Sequence, residues 1–127
     1  MARRANAYQK IQAETASPAQ RVVLVYKGIS KNLRLAIAHI KDGAPEKIGP
    51  ASSAIQFAQE LTVELKLALD MERGGEIAQN LNNLYDFWIE EMSQGNMKKD
   101  IKKLEDIVPL VDELVEAWET IAKQVKL

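Results

Sequence analysis

The stretch SPAQRVVLVYKGISKNLRLAIAHIKDG, Ser17 to Gly43, decides the fold. Ser at the N-cap, Pro at the first helical position and Gln at the third form a capping-box start. Apolar residues then recur at Val22, Tyr26, Ile29, Leu33, Ile37 and Ile40, in steps of three and four, the stride of one helix face. Asp42-Gly43 supplies the stop. Working outward, Pro45, Gly49 and Pro50 leave a ragged junction. From Pro50 a second helix carries Ala54, Ala58, Leu61, Leu65 and Leu69 and should end near Asp70, before Gly74-Gly75. The glycine pair reads as a stop and restart, with Gly supplying φ > 0 and Glu76 placed favourably in the next first turn. A third helix carries Ile77, Leu81, Leu84, Trp88 and Met92 and should stop at Gly95-Asn96. A fourth starts near Asp100 and carries Ile101, Leu104, Val108, Val111, Val115, Trp118, Ala122 and Val125, with Pro109 inside it as an expected kink. No strand pattern is present. The prediction is an all-α protein: an antiparallel four-helix bundle over residues 17–127, preceded by a flexible N-terminal arm, 1–16, that shows no sustained periodicity.

Composition sets limits. A chain of 127 residues suits one domain with its own core. The absence of cysteine excludes disulfides, thiolate catalysis and thiolate metal sites, and fits a reducing cytoplasm. The N-terminus has no apolar signal core, and no run is long and apolar enough to span a membrane. Net charge is −1 but unevenly spread: residues 1–48 hold nine Lys/Arg against three Asp/Glu, and the remainder eight against fifteen. Oppositely charged helices packed side by side account for this. Nucleic-acid binding through Arg3, Arg4, Lys10, Arg21, Lys27, Lys31 and Arg34 is the competing reading.

Catalytic chemistry finds no foothold. His39 is the one histidine, and Ala36 three residues before it rules out the Glu-x-x-His motif of di-iron bundles. MERGGEIA lacks the spacing and the Lys-Ser/Thr of a phosphate loop. Glu90-Glu91 and Asp112-Glu113 read as solvated carboxylates. No enzyme activity, cofactor or metal is expected.

What the chain has in excess is apolar surface. A bundle helix needs one stripe about 100° wide. Beyond its seam, the fourth helix adds Ile107, Leu110, Leu114, Ala117 and Ile121. Val63 and Leu67 sit off the second helix's seam, Leu24 and Leu35 on the back of the first, and Phe87 and Ile89 beside the third. Either the fourth helix touches two neighbours, or these stripes receive another chain's amphipathic helices.

Four segments in order resemble the FliS family, the cytoplasmic chaperones of flagellin in flagellar type III export. They are NAYQK at Asn6–Lys10, ASPAQRVVLVYKG at Ala16–Gly28, LDMERGGEIAQNLNNLYDF at Leu69–Phe87 and NMKKDIKKLEDIVPLVDELVEAW at Asn96–Trp118. Three departures stand out: Lys27 occupies a position where the family usually has an acidic or amide residue, Phe87, Trp88 and Glu90-Glu91 follow Tyr85 where the family often carries another Tyr and then Arg residues, and Glu119 stands at a commonly basic position. The resemblance implies a four-helix bundle that binds the disordered C-terminal segment of flagellin, prevents premature polymerisation and helps deliver it to the export gate. It implies a docking role for the arm, with Tyr8 at the matching position. The partner-binding residues expected are therefore Tyr8, Leu24, Leu35, Val63, Leu67, Ile107, Leu110, Leu114 and Ile121. An anti-sigma factor or co-chaperone is a further partner to consider, and a homodimer is the alternative use of the apolar stripes.

Overall fold

The computed structural model describes residues 17–124. Helix α1 is Pro18–Asp42, α2 Ile48–Leu67, α3 Gly75–Lys98 and α4 Ile101–Gln124, with one 3₁₀ turn at Pro45–Lys47. The capping box forms as its residues require: Ser17 Oγ accepts from the Gln20 amide and Gln20 Oε1 accepts from the Ser17 amide. Gly43, at φ +78°, ends α1 in the left-handed region that glycine enters at least cost. The 3₁₀ turn feeds directly into α2, which therefore starts two residues before the expected Pro50.

The double glycine is a corner whose two members are needed for different reasons. Helix α2 ends at Leu67, and the chain turns around Asp70. The Asp70 carboxylate accepts from the amides of Glu72 and Arg73, and its carbonyl accepts from the Gly74 amide. A Cβ on Gly74 would lie 2.7 Å from that carbonyl oxygen and 2.5 Å from the Ala78 Cβ, so no side chain fits. Gly75 supplies the positive φ, +52°, at the start of α3 rather than the end of α2. At the next corner the expectation fails. Gly95 is not a stop but a buried helical residue, where an added Cβ would meet Leu104 Cδ2 at 2.9 Å. Close helix approach explains this glycine, and α3 runs on to Lys98. Lys99, at φ +53°, makes the turn while its Nζ donates to Asn96. Helix α4 is continuous through Pro109, which sits on its exposed side.

The helices form a square in which α1 packs on α2 and α4, and α3 on α2 and α4, with both diagonals apart. Neighbours are antiparallel. Lys27, Arg34 and Lys41 on α1 pair with Glu119, Asp112 and Glu105 on α4, one pair every two turns. Ser52, Gln59 and Lys66 on α2 bond Asn96, Ser93 and Asp86 on α3 in the same opposed order. The basic first half and acidic fourth helix thus neutralise each other. Lys27 and Glu119, both singled out in the sequence, face one another at 3.1 Å. Each of these exposed pairs is worth about 0–1 kcal/mol, so they set register more than stability.

Stability lies in the core, built from Tyr26, Ile29 and Leu33 of α1, Ile55 and Ala58 of α2, Tyr85, Trp88 and Met92 of α3, and Leu104, Ile107 and Val111 of α4. The Tyr26 and Tyr85 hydroxyls share a hydrogen bond across the α1–α3 diagonal, and both rings pack against Trp88. Burial, ahead of every other cause, raises both phenols above their ordinary pKa of 10.0. A raised folded-state pKa favours the neutral form, so this contribution is complete below pH 10 and is lost as pH rises past it. The urea midpoint should therefore hold steady up to about pH 9.5 and fall above pH 10, and Tyr26→Phe or Tyr85→Phe should make the fall shallower. A midpoint equally steep in pH for wild type and both variants would contradict the assignment.

Candidate partner-binding surface

The contact of Gly95 with Leu104 sets the register between α3 and α4. Running back along α3 to Ile77 and forward along α4 to Ile121 covers nearly equal lengths, so those two residues come level. By the same count Leu81 stands level with Trp118, and Tyr85 with Leu114. The Lys103–Glu91 pair closes this seam at its tight end.

Burial along α4 then changes abruptly. Leu104, Ile107, Val108 and Val111 are buried, but no later residue of the described helix is. Leu114, Val115 and Trp118 pack only partly against the core, and Leu110 and Ile121 stand 38% and 39% exposed. Across the seam, Ile77 lies on the same helix face as Leu81, Leu84 and Trp88, yet is 74% exposed. The sequence reading placed Ile77 in the core; the structure leaves it uncovered because α4 does not close over it. Phe87 is half exposed on the outer edge of α3. The result is an exposed apolar strip along the seam between the first half of α3 and the second half of α4, whereas Glu113 and Glu116 lie on the α1 side of α4, lining a cleft with Arg34, Ile37 and Lys41.

The expected site residues divide. Leu110, Leu114 and Ile121 gather along this groove. Ile107 does not: it is fully buried, because at its level α4 faces α1 and α3 at once and its wheel position still points inside. That expectation is corrected; Ile107 is a core residue. Val63 and Leu67, the latter 79% exposed, lie on α2, a helix that does not touch α4. Leu35 is exposed and Leu24 half-buried on α1. The nominated residues therefore ring the bundle instead of lining one cleft. Tyr8 and the arm lie outside the described residues. The residue that sequence reasoning missed is Ile77, whose apolar stride was indistinguishable from a core position.

Nothing here is arranged for bond chemistry. Among the described residues no three His, Asp or Glu side chains converge to hold a metal, and no helix is long and apolar enough to cross a membrane. The groove can bury apolar side chains and little else.

Comparison with known proteins identifies relatives over most of the chain. The family model for the flagellar protein FliS matches residues 1–125. The flagellar secretion chaperone FliS of Salmonella typhimurium is 34% identical over 121 residues, covering 91% of this chain and 87% of its own length. The protein of the same name from Vibrio cholerae is 32% identical over 119 residues, 91% and 85% of the two chains. That of Bacillus subtilis is 28% identical over 112 residues, 88% and 80%.

The split between Ile107 and Ile121 is testable. Ile107→Ala should cost about 2–5 kcal/mol in urea unfolding, the usual loss at a filled core site. Ile121→Ala should cost about 0.5 kcal/mol or less while reducing binding of an apolar dye. Equal costs at the two positions would place Ile121 in the core and remove the groove.

Proposed function

The chain belongs to the FliS family of flagellar secretion chaperones, and on that premise we propose that it binds the disordered C-terminal segment of flagellin in the cytoplasm, prevents its premature polymerisation and assists its delivery to the flagellar type III export apparatus. The family is a chaperone family, not an enzyme family. The observation that carries the reading is the apolar groove along Ile77, Leu110, Leu114 and Ile121, a core seam left open over its second half.

Magnitudes favour a segment that wraps. Ordering a disordered chain costs about 2–5 kcal/mol or more, and association about 4–15 kcal/mol. At about 25 cal/mol per Å², offsetting both needs roughly 240–800 Å² of apolar surface. The side chains exposed in the groove supply on the order of 300 Å². The client's own apolar face buries a comparable area, so one such surface falls within this range, and a client that also covers Val63 and Leu67 on α2 and Leu24 and Leu35 on α1 binds more tightly. A multi-helix segment wound around the bundle meets that need. In this proposal Tyr8, in the arm before α1, serves docking at the export gate. An anti-sigma factor, a co-chaperone or a second copy of the chain would compete for the same stripes.

The nucleic-acid alternative loses support. Lys27 and Arg34, two of its cations, are already paired with Glu119 and Asp112.

Co-purification with the C-terminal segment of a flagellin tests the proposal. The wild-type chain should form a one-to-one complex in sedimentation, and Leu110→Glu combined with Ile121→Glu should weaken it about tenfold or more, a loss near 1.4 kcal/mol, with helicity unchanged. Undiminished binding by the double variant, or capture of nucleic acid in its place, would refute the assignment.

A further inference from the structure

The ion pairs between α1 and α4 form a ladder with one empty rung. Along the edge of α1 that faces α4, steps of three and four give Lys27, Lys31, Arg34, Ala38 and Lys41. Along the facing edge of α4 they give Glu105, Pro109, Asp112, Glu116 and Glu119. Every position in both rows is charged except Ala38 and Pro109. The antiparallel register of the ion pairs puts those two level with each other. Where long side chains would cross from helix to helix, both helices carry a short apolar one. The result is an open cleft of about 720 Å³. Ile37 and Val108 are buried in its floor, and Ala38 and Pro109 stand exposed above them. The Arg34–Asp112 and Lys41–Glu105 pairs close its two ends, about 10 Å apart along the helices.

The hydrogen-bonding character of the cleft is one-sided. Arg34 and Lys41 are committed to Asp112 and Glu105. Glu113 and Glu116, one and two turns beyond Pro109, line the cleft and pair with no cation among the described residues. Pro109 has no N–H, so the Glu105 carbonyl lacks its usual donor within the helix. A short apolar seat thus lies beside acceptors without partners.

We propose that this cleft is a docking notch for an amphipathic helix of a partner protein, which seats one apolar side chain between the two ion pairs and brings a lysine or arginine to Glu113 and Glu116. Helix-in-groove contacts place their anchors at such one- and two-turn spacings. Charge complementarity selects the partner: an acidic helix or a nucleic acid meets the free carboxylates as like charges. The notch lies on the flank of α4 away from Leu110, Leu114 and Ile121. It is therefore separate from the client strip, and its reading does not depend on flagellin binding.

The probe is a fluorescein-labelled helical peptide that repeats leucine with arginine one turn on; a twin with glutamate for arginine is the control. Fluorescence anisotropy should show the arginine peptide binding about tenfold or more tighter than its twin, equivalent to 1.4 kcal/mol. Ala38→Leu fills the notch from an exposed position without changing charge, and should weaken the arginine peptide about tenfold with helicity unchanged. Glu113→Gln with Glu116→Gln should weaken it as much, and Ile121→Glu, on the other flank, should leave it alone. Failure of the arginine peptide to bind, equal binding of the two peptides, or undiminished binding by folded Ala38→Leu overturns the proposal. Loss of binding in Ile121→Glu overturns it too, by moving the peptide to the client strip. Displacement by spermine at matched charge would make the cleft a site for small cations instead. A dimer of the chain alone that Ala38→Leu dissolves would give the notch to a second copy, and either result refutes the partner helix.

Discussion

Tyr26 and Tyr85 touch across a diagonal that no other pair of buried hydroxyls spans among the described residues, and so tie α1 to α3, two helices that are not neighbours in the square. Both rings pack against Trp88, and Ile55, Met92, Leu104 and Ile107 fill the core toward the other end. A polar contact in this position is costly unless satisfied, and the two phenols satisfy each other. Trp88 Nε1 is the one buried side-chain donor among the described residues without a partner. Its ring packs edge-on to Tyr26, at 82°.

Electrostatics does a different job. The charge asymmetry between the two halves of the chain is resolved by a ladder of exposed pairs repeating every two turns between α1 and α4. Individually weak, together they commit α4 to α1 and leave its other flank free. Lys27 and Glu119 make the last rung of that ladder, at 3.1 Å.

Much of this was legible in the sequence. Helix existence, order and the capping box followed from local signals that the structure realises directly, since Ser17, Pro18 and Gln20 act within one turn. Positions that depend on a distant neighbour were not legible. Gly95 looks like a stop until Leu104 is seen against it. Ile107 and Leu110 are equally apolar and three residues apart, yet one is buried and the other exposed, because only tertiary packing says where α3 stands. Ile77 keeps a core-like stride while facing solvent, since the wheel records direction and not whether a neighbour is present. A surface built from surplus stripes is written in the sequence as hydrophobic excess, without an address.

The central claim is that a client seats in the seam between the first half of α3 and the second half of α4. Backbone amide exchange with and without the flagellin C-terminal segment measures this most directly, because binding suppresses the opening of the segments it covers. The account predicts slowed exchange concentrated in α4 beyond Val111 and in α3 before Tyr85, with weaker protection along α2 near Val63. Protection confined to the α1–α4 face, where the ion pairs run, would contradict it.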